Sequence, residues 1–551
     1  MATITHPGAR VAPGPVIVEE RRSPLVEWLT TTDHKKIGIL YLVTTFVFFF
    51  IGGLEALLVR TQLAGPDQKF LSAQQYNEMF TMHATTMIFL FIIPVFTGFA
   101  NYVVPLMIGA KDMAFPRLNM LSYWLLLAGG LMLYASFPFG QGDLPAGGWT
   151  SYVPLTTLKY SPGLGQTFWI LSIQLIGLSS ILGALNFIVT IFTLRAPGMT
   201  FSRIPLFVWA QLVTAFLTVL AVPFITVAIT FLLFDRVFGT QYFSTAAGSD
   251  PKLYQFLFWY YSHPAVYIMI LPGFGIISEV LPVFARKPIF GYKLIAYSSV
   301  AIGFLGFSVF GHHMFVAGIG VPLQLFFMAS SMLIAVPTGV KMFNWLATIW
   351  GGSLWLKPPL LFALGFLAMF VIGGVSGVFL ACAPCDMEFT DTYFVVAHIH
   401  YVLFGGSVFT IMSGLYYWFP KITGRYLSDK LGYLQFILML AGFNMTFWPQ
   451  HELGLDGMPR RIYHYPQAPE WGPLNLLSTI GAFLIALSVL TMIINVLRSW
   501  RGGARAPANP WDGDTLEWAT TSPPPAHNFD YVPPVHSARP LKEAVPAAGH
   551  A

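Results

Sequence analysis

Cysteine is nearly missing: two residues among 551. A disulfide framework is therefore excluded. Charge is scarce too. Asp, Glu, Lys and Arg make up 10% of the chain, against 55% hydrophobic residues. A soluble domain carries about 25% charged residues. The N-terminus does not read as a cleavable leader. Its first apolar run begins near Ile37, is too long, and has no small-residue cleavage site. No internal repeat is visible. A net charge of +5 would suggest a nucleic-acid partner in a soluble protein. Here the cations lie in loops between apolar runs, where membrane topology accounts for them, so no nucleic acid is expected.

What the chain has in abundance is uninterrupted apolar sequence. Runs long enough to cross a bilayer recur throughout. Spans are predicted near 38–60, 81–107, 121–140, 168–194, 206–234, 254–284, 289–312, 322–346, 358–381, 393–419, 431–448 and 473–499. The fold class is all-α: a polytopic membrane protein built as a bundle of twelve transmembrane helices. Three regions follow: an N-terminal segment 1–27, its first 25 or so residues polar and disordered, a membrane domain 28–500, and a proline-rich, extended tail 501–551. Loops after even-numbered spans hold Lys111, Arg117, Arg195, Arg203, Arg286, Lys287, Lys293, Lys357, Lys421, Arg425 and Lys430. The opposite loops are longer yet poorer in cations. Both termini are therefore expected in the cytoplasm.

Histidine carries the chemistry. His398 and His400 stand in one apolar helix, about 200° apart on its surface. They cannot bind one ligand from the same side, so they point to two cofactors with the helix between them. His83, His263 and the adjacent His312 and His313 come from three other spans, all at the outer half of the membrane. Independent structural histidines have no reason to share a depth. Imidazole suits iron and copper. Six ligands divide as two on one haem, one on a second, and three on a copper, with His263, His312 and His313 as the compact trio. Zinc is the alternative, but it leaves six ligands unexplained.

Five stretches carry a resemblance: WYYSHPAVYIMILPGFGIIS from Trp259, GHHM from Gly311, PTGVK from Pro337 to Lys341, DTYFVVAHIHY from Asp391, and WPQHELGLDGMPRR from Trp448. Together the chain resembles subunit I of the haem-copper oxidases, mitochondrial-type branch, over about residues 28–500. The resemblance implies a terminal oxidase that reduces dioxygen to water and pumps protons across the bacterial inner membrane. Its partners would be oxidase subunits II and III, the lipid bilayer, and cytochrome c or, alternatively, quinol as donor. It implies His83 and His400 on a low-spin haem, His398 on a high-spin haem, and His263, His312 and His313 on the copper called CuB. Tyr267 would be cross-linked to the copper-ligating His263. Arg60 would meet the formyl group of a low-spin haem A. Trp149, Tyr152, Arg460 and Arg461 would hold propionates.

Two proton paths are implied. Lys341, Thr338 and Ser278 would lead to Tyr267, although a lysine so late in its helix also fits one that snorkels to the membrane face. Asp112, with Asn101 and Asn119, would open the second. Ala265 stands where many relatives have a buried glutamate, and the YSHP pattern resembles the subtype that lacks it. Tyr261, helped by Ser262, is predicted to take over, because its ring reaches the space a carboxyl at 265 would fill. Thr390 replaces a magnesium-binding histidine beside Asp391, which leaves magnesium without support. Gln62 replaces a glutamate tied to a calcium or sodium site, so that ion is not expected. Glu55 is read as a neutral structural carboxyl. Cys382 and Cys385, in CAPC, lack the histidine of a c-type haem motif; a disulfide is the leading reading and two free thiols the alternative. A non-catalytic membrane cytochrome and a proton-relaying transporter are the rival classes. Neither needs the trio and Tyr267 together.

Overall fold

The computed structural model describes residues 23–140 and 142–542. The predicted disorder before Ser23 lies outside them. From Pro24 to Leu29 the chain already forms a short helix, with Ser23 as its N-cap.

Long apolar segments have one stable form away from water: a helix, in which each backbone N–H and C=O finds its partner within the segment. Eleven such helices are long and apolar enough to cross a membrane among the described residues. We number them with one more in chain order. They are α1 (His34–Gln62), α2 (Ala73–Ile108), α3 (Pro116–Tyr134), α4 (Gly165–Thr193), α5 (Leu206–Val237) and α6 (Lys252–Ala285). The second half comprises α7 (Tyr292–Met314), α8 (Val321–Ile349), α9 (Pro358–Ala381), α10 (Tyr393–Thr423), α11 (Asp429–Leu455) and α12 (Trp471–Gly502). The one added is α3, a 19-residue helix whose first turn holds Arg117 and Asn119 and so dilutes its apolar character. No strand is present among the described residues, only two isolated bridges.

Local chemistry sets the ends. Asp33 caps α1 through the Lys35 amide, and Ser72 and Gln75 form a capping box at α2. Gly109 and Gly424 end α2 and α10 in the left-handed conformation, at φ 74° and 70°. Neighbours in sequence pack in pairs, notably α11 with α12, α5 with α6 and α3 with α4. α2 and α6 are almost wholly enclosed, whereas α8 and α12 turn most of their surface outward.

Two helices depart from the α form near the site. α2 runs as a π-helix over Thr86–Ile92 and α10 over Leu403–Val408. Each begins three residues after His83 or His400. Such turns rotate the side chains that follow, and they concentrate at functional sites.

The described residues beyond α12, up to Lys542, have no long helix, yet they are not loose. They fold back on the end face where α1 begins and bury Trp511, Leu516, Trp518 and Val535. Lys421 anchors them through the carbonyls of Ala508 at 2.9 Å and Thr520 at 2.7 Å.

Candidate metal centre

α6 continues through Pro264, Pro272 and Pro282 and presents His263 from inside the bundle. α7 tightens into a 3₁₀ turn over Phe310–Met314, which swings His312 and His313 toward it. The ligating nitrogens of all three residues lie within 4.8 Å of one another. His263 Nδ1 and His313 Nε2 are 3.3 Å apart, the spacing of two nitrogens that bind one metal. His312 Nδ1 engages Ser331 Oγ at 2.8 Å, which leaves its Nε2 free as a ligand. The His313 ring stacks on Trp259 with centroids 3.8 Å apart. Tyr267 lies one turn beyond His263, with ring centroids 4.9 Å apart. His263 Nε2 is buried and has no partner within the chain.

His83 on α2 and His400 on α10 face each other with planes 7° apart and centroids 6.5 Å apart. Each is oriented by its Nδ1, on the Gly52 carbonyl and the Val396 carbonyl, both at 2.7 Å. Both Nε2 atoms are thus left for an ion between the rings. His398 points the other way, toward α9. Its Nδ1 meets Gly373 O at 3.0 Å and Ser376 Oγ at 3.1 Å. Gly377 lies under its ring, where an added Cβ would sit 2.8 Å from Cε1. The opposite facing of His398 and His400 follows from their two-residue spacing. These donor sets fit two haem irons and a copper: a bis-imidazole pair, one further axial imidazole, and a trio beside a tyrosine.

Arg60 donates through Nη2 to the Asn475 carbonyl at 2.7 Å, while its buried Nε and Nη1 have no partner within the chain. A guanidinium so placed suits a polar substituent on a bound macrocycle. Arg460 pairs with Asp391 through Nε at 2.8 Å. Arg461, at φ 65°, lies against Gly148, beside Trp149 and Tyr152. Burial and the neighbouring Arg460 lower the Arg461 guanidinium to about 10. Burial pushes the Tyr152 phenol up to about 12.

Asp112 lies in the α2–α3 loop, its Oδ1 accepting from Met113 N at 2.7 Å. Burial pushes its carboxyl up to about 6. Above it, Asn119 has neither side-chain atom partnered and Asn101 lacks a partner for Oδ1. A cavity of about 40 Å³ follows, lined by Tyr41, Ser179, Ser180, Gln211, Thr214 and Thr218 among others. That is room for more than one water. Gln211 Nε2 and Thr214 Oγ1 are buried there without partners. Tyr261 is buried and stacks on Phe89, which lines the same cavity. Ser262 Oγ is buried and unpartnered.

Lys341 does not snorkel. It is 1% exposed, and its Nζ donates to Ile295 O at 2.8 Å and Ser299 Oγ at 2.7 Å. The expected companions are not in direct contact with it. Ser278 Oγ accepts from Trp345 Nε1, and Thr338 Oγ1 turns to the Ile334 carbonyl.

Sequence reasoning missed Ser299, Gln211, Thr214, Ser179, Ser180 and Tyr41. Their signal was a hydroxyl or amide inside an apolar run. It missed His451 as well, both of whose nitrogens are buried and unpartnered. The Cys382 and Cys385 Sγ atoms face each other 2.6 Å apart, unbonded, which is the second of the two alternatives the sequence left open. Gln62 is engaged by three backbone groups: it donates to Gln68 O and Tyr463 O and accepts from Leu71 N. Glu55 accepts from Tyr134 Oη at 3.0 Å.

A membrane-spanning bundle with these imidazoles defines a class, the catalytic subunits of haem-copper oxidases. Comparison with known proteins places the chain within it. The family model for cytochrome c and quinol oxidase polypeptide I matches residues 36–484, and the chain belongs to that family. Cytochrome c oxidase subunit 1 of Thermostichus vulcanus is 54% identical over 91% of this chain and 90% of its own. The Bacillus subtilis subunit 1 is 48% identical, over 95% and 83%. A cryo-EM structure of a haem-copper terminal oxidase dimer shares the fold, with TM-score 0.72 at 18% identity over 85% of this chain and 84% of that one. The chain is accordingly a terminal oxidase catalytic subunit, an oxidoreductase whose family works with haem and copper.

Proposed function

We propose that this subunit draws electrons from cytochrome c, reduces dioxygen to water in a four-electron reaction, and pumps protons outward across a bacterial inner membrane. In this reading both termini are cytoplasmic and subunits II and III complete the complex. His83 and His400 hold a low-spin haem, His398 a high-spin haem, and His263, His312 and His313 the copper. The observation that carries the reading is the convergence of those three histidines beside Tyr267. Arg60, with two unpartnered guanidinium nitrogens, supports haem A at the low-spin site.

When bound, the metals supply electrons and the position where oxygen is reduced. The protein does the rest. Gly373 and Ser376 fix the tautomer and angle of His398. Tyr267 supplies a proton and an electron close to the trio. Lys341 is in contact with Ser299 and, with Thr338 and Ser278 along the same path, sends protons to Tyr267. Asp112 collects protons for the second path. Asn101, Asn119 and the lined cavity carry them on, and Tyr261 with Ser262 passes them further, each hydroxyl donating and accepting in turn. Arg460, Arg461, Trp149 and Tyr152 meet the propionates, chemistry suited to guanidinium forks.

The test uses the purified oxidase in sealed vesicles. Oxygen consumption with reduced cytochrome c, absent with quinol, and acidification outside the vesicle are expected. Tyr261→Phe keeps the ring and removes only the hydroxyl, and it is expected to lower the protons pumped per electron. A wild-type ratio in that variant refutes the role of Tyr261. Turnover with quinol alone refutes the donor.

A further inference from the structure

The polar segment after α12 reaches the neighbourhood of Asp112 and builds part of it. Its key residue is Asn528, fully buried and at φ 68°, a conformation that asparagine tolerates better than most residues. Asn528 Nδ2 donates to the carbonyls of Ala110 at 2.9 Å and Lys111 at 3.2 Å. Those are the two residues immediately before Asp112. Asn528 Oδ1 accepts from Lys35 Nζ at 2.7 Å. The His34 ring closes the set. Its Nδ1 lies 2.7 Å from the Asn101 carbonyl, which can only accept, so Nδ1 carries the hydrogen. In the neutral ring Nε2 is then an acceptor, and Asn528 Nδ2 stands 2.8 Å away, its two hydrogens shared among this nitrogen and the two carbonyls.

One side chain of the tail thus ties together the start of α1, the loop that bears Asp112, and, through His34, the Asn101 carbonyl of α2. The tail around it is firmly held. Trp511 Nε1 donates to Tyr417 O at 2.8 Å, and Thr520 Oγ1 to Asn528 O at 2.6 Å. Lys35 also reaches Ala526 O at 3.0 Å. A segment that served only as packing would not need to place its one buried amide on the two residues preceding a carboxyl.

We infer that Asn528 is a positioning residue of the proton entrance: it holds the Asp112 loop and the His34–Lys35 pair in the arrangement that admits protons. The inference rests on the reading of Asp112 as the mouth of a proton path.

The experiment uses the complete oxidase in vesicles. Asn528→Gly deletes the amide and tolerates the backbone conformation. Haem and copper content are expected to stay at the wild-type level. Proton uptake, followed by a pH dye after an oxygen pulse, is expected to slow about three- to tenfold, the scale of one lost buried hydrogen bond. Arg539→Ala cuts the Arg539–Asp514 pair elsewhere in the tail and is expected to leave uptake unchanged. Should the glycine variant fail to assemble, Asn528→Asp keeps the Lys35 contact and loses both donations to the loop. The same slowing is then expected. Wild-type uptake in the Asn528 variant, beside a crippled Asp112→Asn, overturns the inference and leaves the path standing. Equal slowing in Arg539→Ala overturns it as well, because tail packing in general then sets the rate. Unchanged uptake in Asp112→Asn removes the underlying reading and the inference with it.

Discussion

At the scale of single residues, the chemistry turns on polar groups buried with a defined set of partners. Lys341 has two neutral acceptors and, among the described residues, no carboxylate within salt-bridge reach. Lys341→Met fills the same volume and cannot carry a proton. The expected outcome is normal haem and copper content with turnover reduced about a hundredfold or more, the scale of a lost positioned acid–base group. The block is expected early, in the reductive phase, and stopped-flow reduction spectra check it. Asp112 makes a second case. Its carboxyl is pushed up to about 6, mainly by burial. It is therefore protonated below about pH 6 and ionised above it. An infrared carboxyl band is expected to vanish as pH rises through that value and to be missing in Asp112→Asn. The sign for stability is the same: between the ordinary carboxylate range and about 6 the folded chain binds a proton the unfolded chain lacks, so stability falls as pH rises there.

At the scale of elements, α9 acts as the cradle of α10. Gly373 lets the two backbones touch, since a Cβ there would lie 2.9 Å from Tyr401 C and Val402 N. Gly377 leaves room for the His398 ring. Gly377→Ala places a methyl against that ring and is expected to abolish carbon monoxide binding while the low-spin haem spectrum survives. Loss of both spectra would show that α9 supports the whole bundle and not His398 alone. The spans themselves were legible in the sequence, because an apolar run of bilayer length has no other stable form. All twelve were placed, with ends displaced by up to eight residues, as at α2, whose polar first turns from Ala73 hid its start. The histidines were legible for the same reason that makes them costly: a buried imidazole in an apolar run stands out. Partners across helices were not. Nothing local to PTGVK says that Ser299 on α7 meets Lys341. The docked tail was also hidden. Proline and polar residues read as solvated chain, and only tertiary contacts such as those of Asn528 reverse that reading.

At the scale of the whole molecule, the outer surface is apolar around the bundle. Phe304, Phe343 and Trp350 are each at least three-quarters exposed. Such a belt needs lipid or partner subunits against it. Polar and charged groups collect at the ends, and both described termini share the face where α1 begins. The interior brings four helices together at the imidazoles, and a cavity of mixed lining inside the bundle carries the hydroxyls of Tyr41, Ser179, Ser180, Thr214 and Thr218 and the Gln211 amide. The central claim is that these imidazoles hold two haem irons and one copper. Metal analysis of the purified oxidase tests it most directly, after the copper of any other subunit is counted separately. The account predicts two irons and one copper on this chain, with His312→Ala losing the copper and keeping both irons. A chain with full haem and no copper, or a His312→Ala variant that retains its copper and its oxygen reduction, would contradict it.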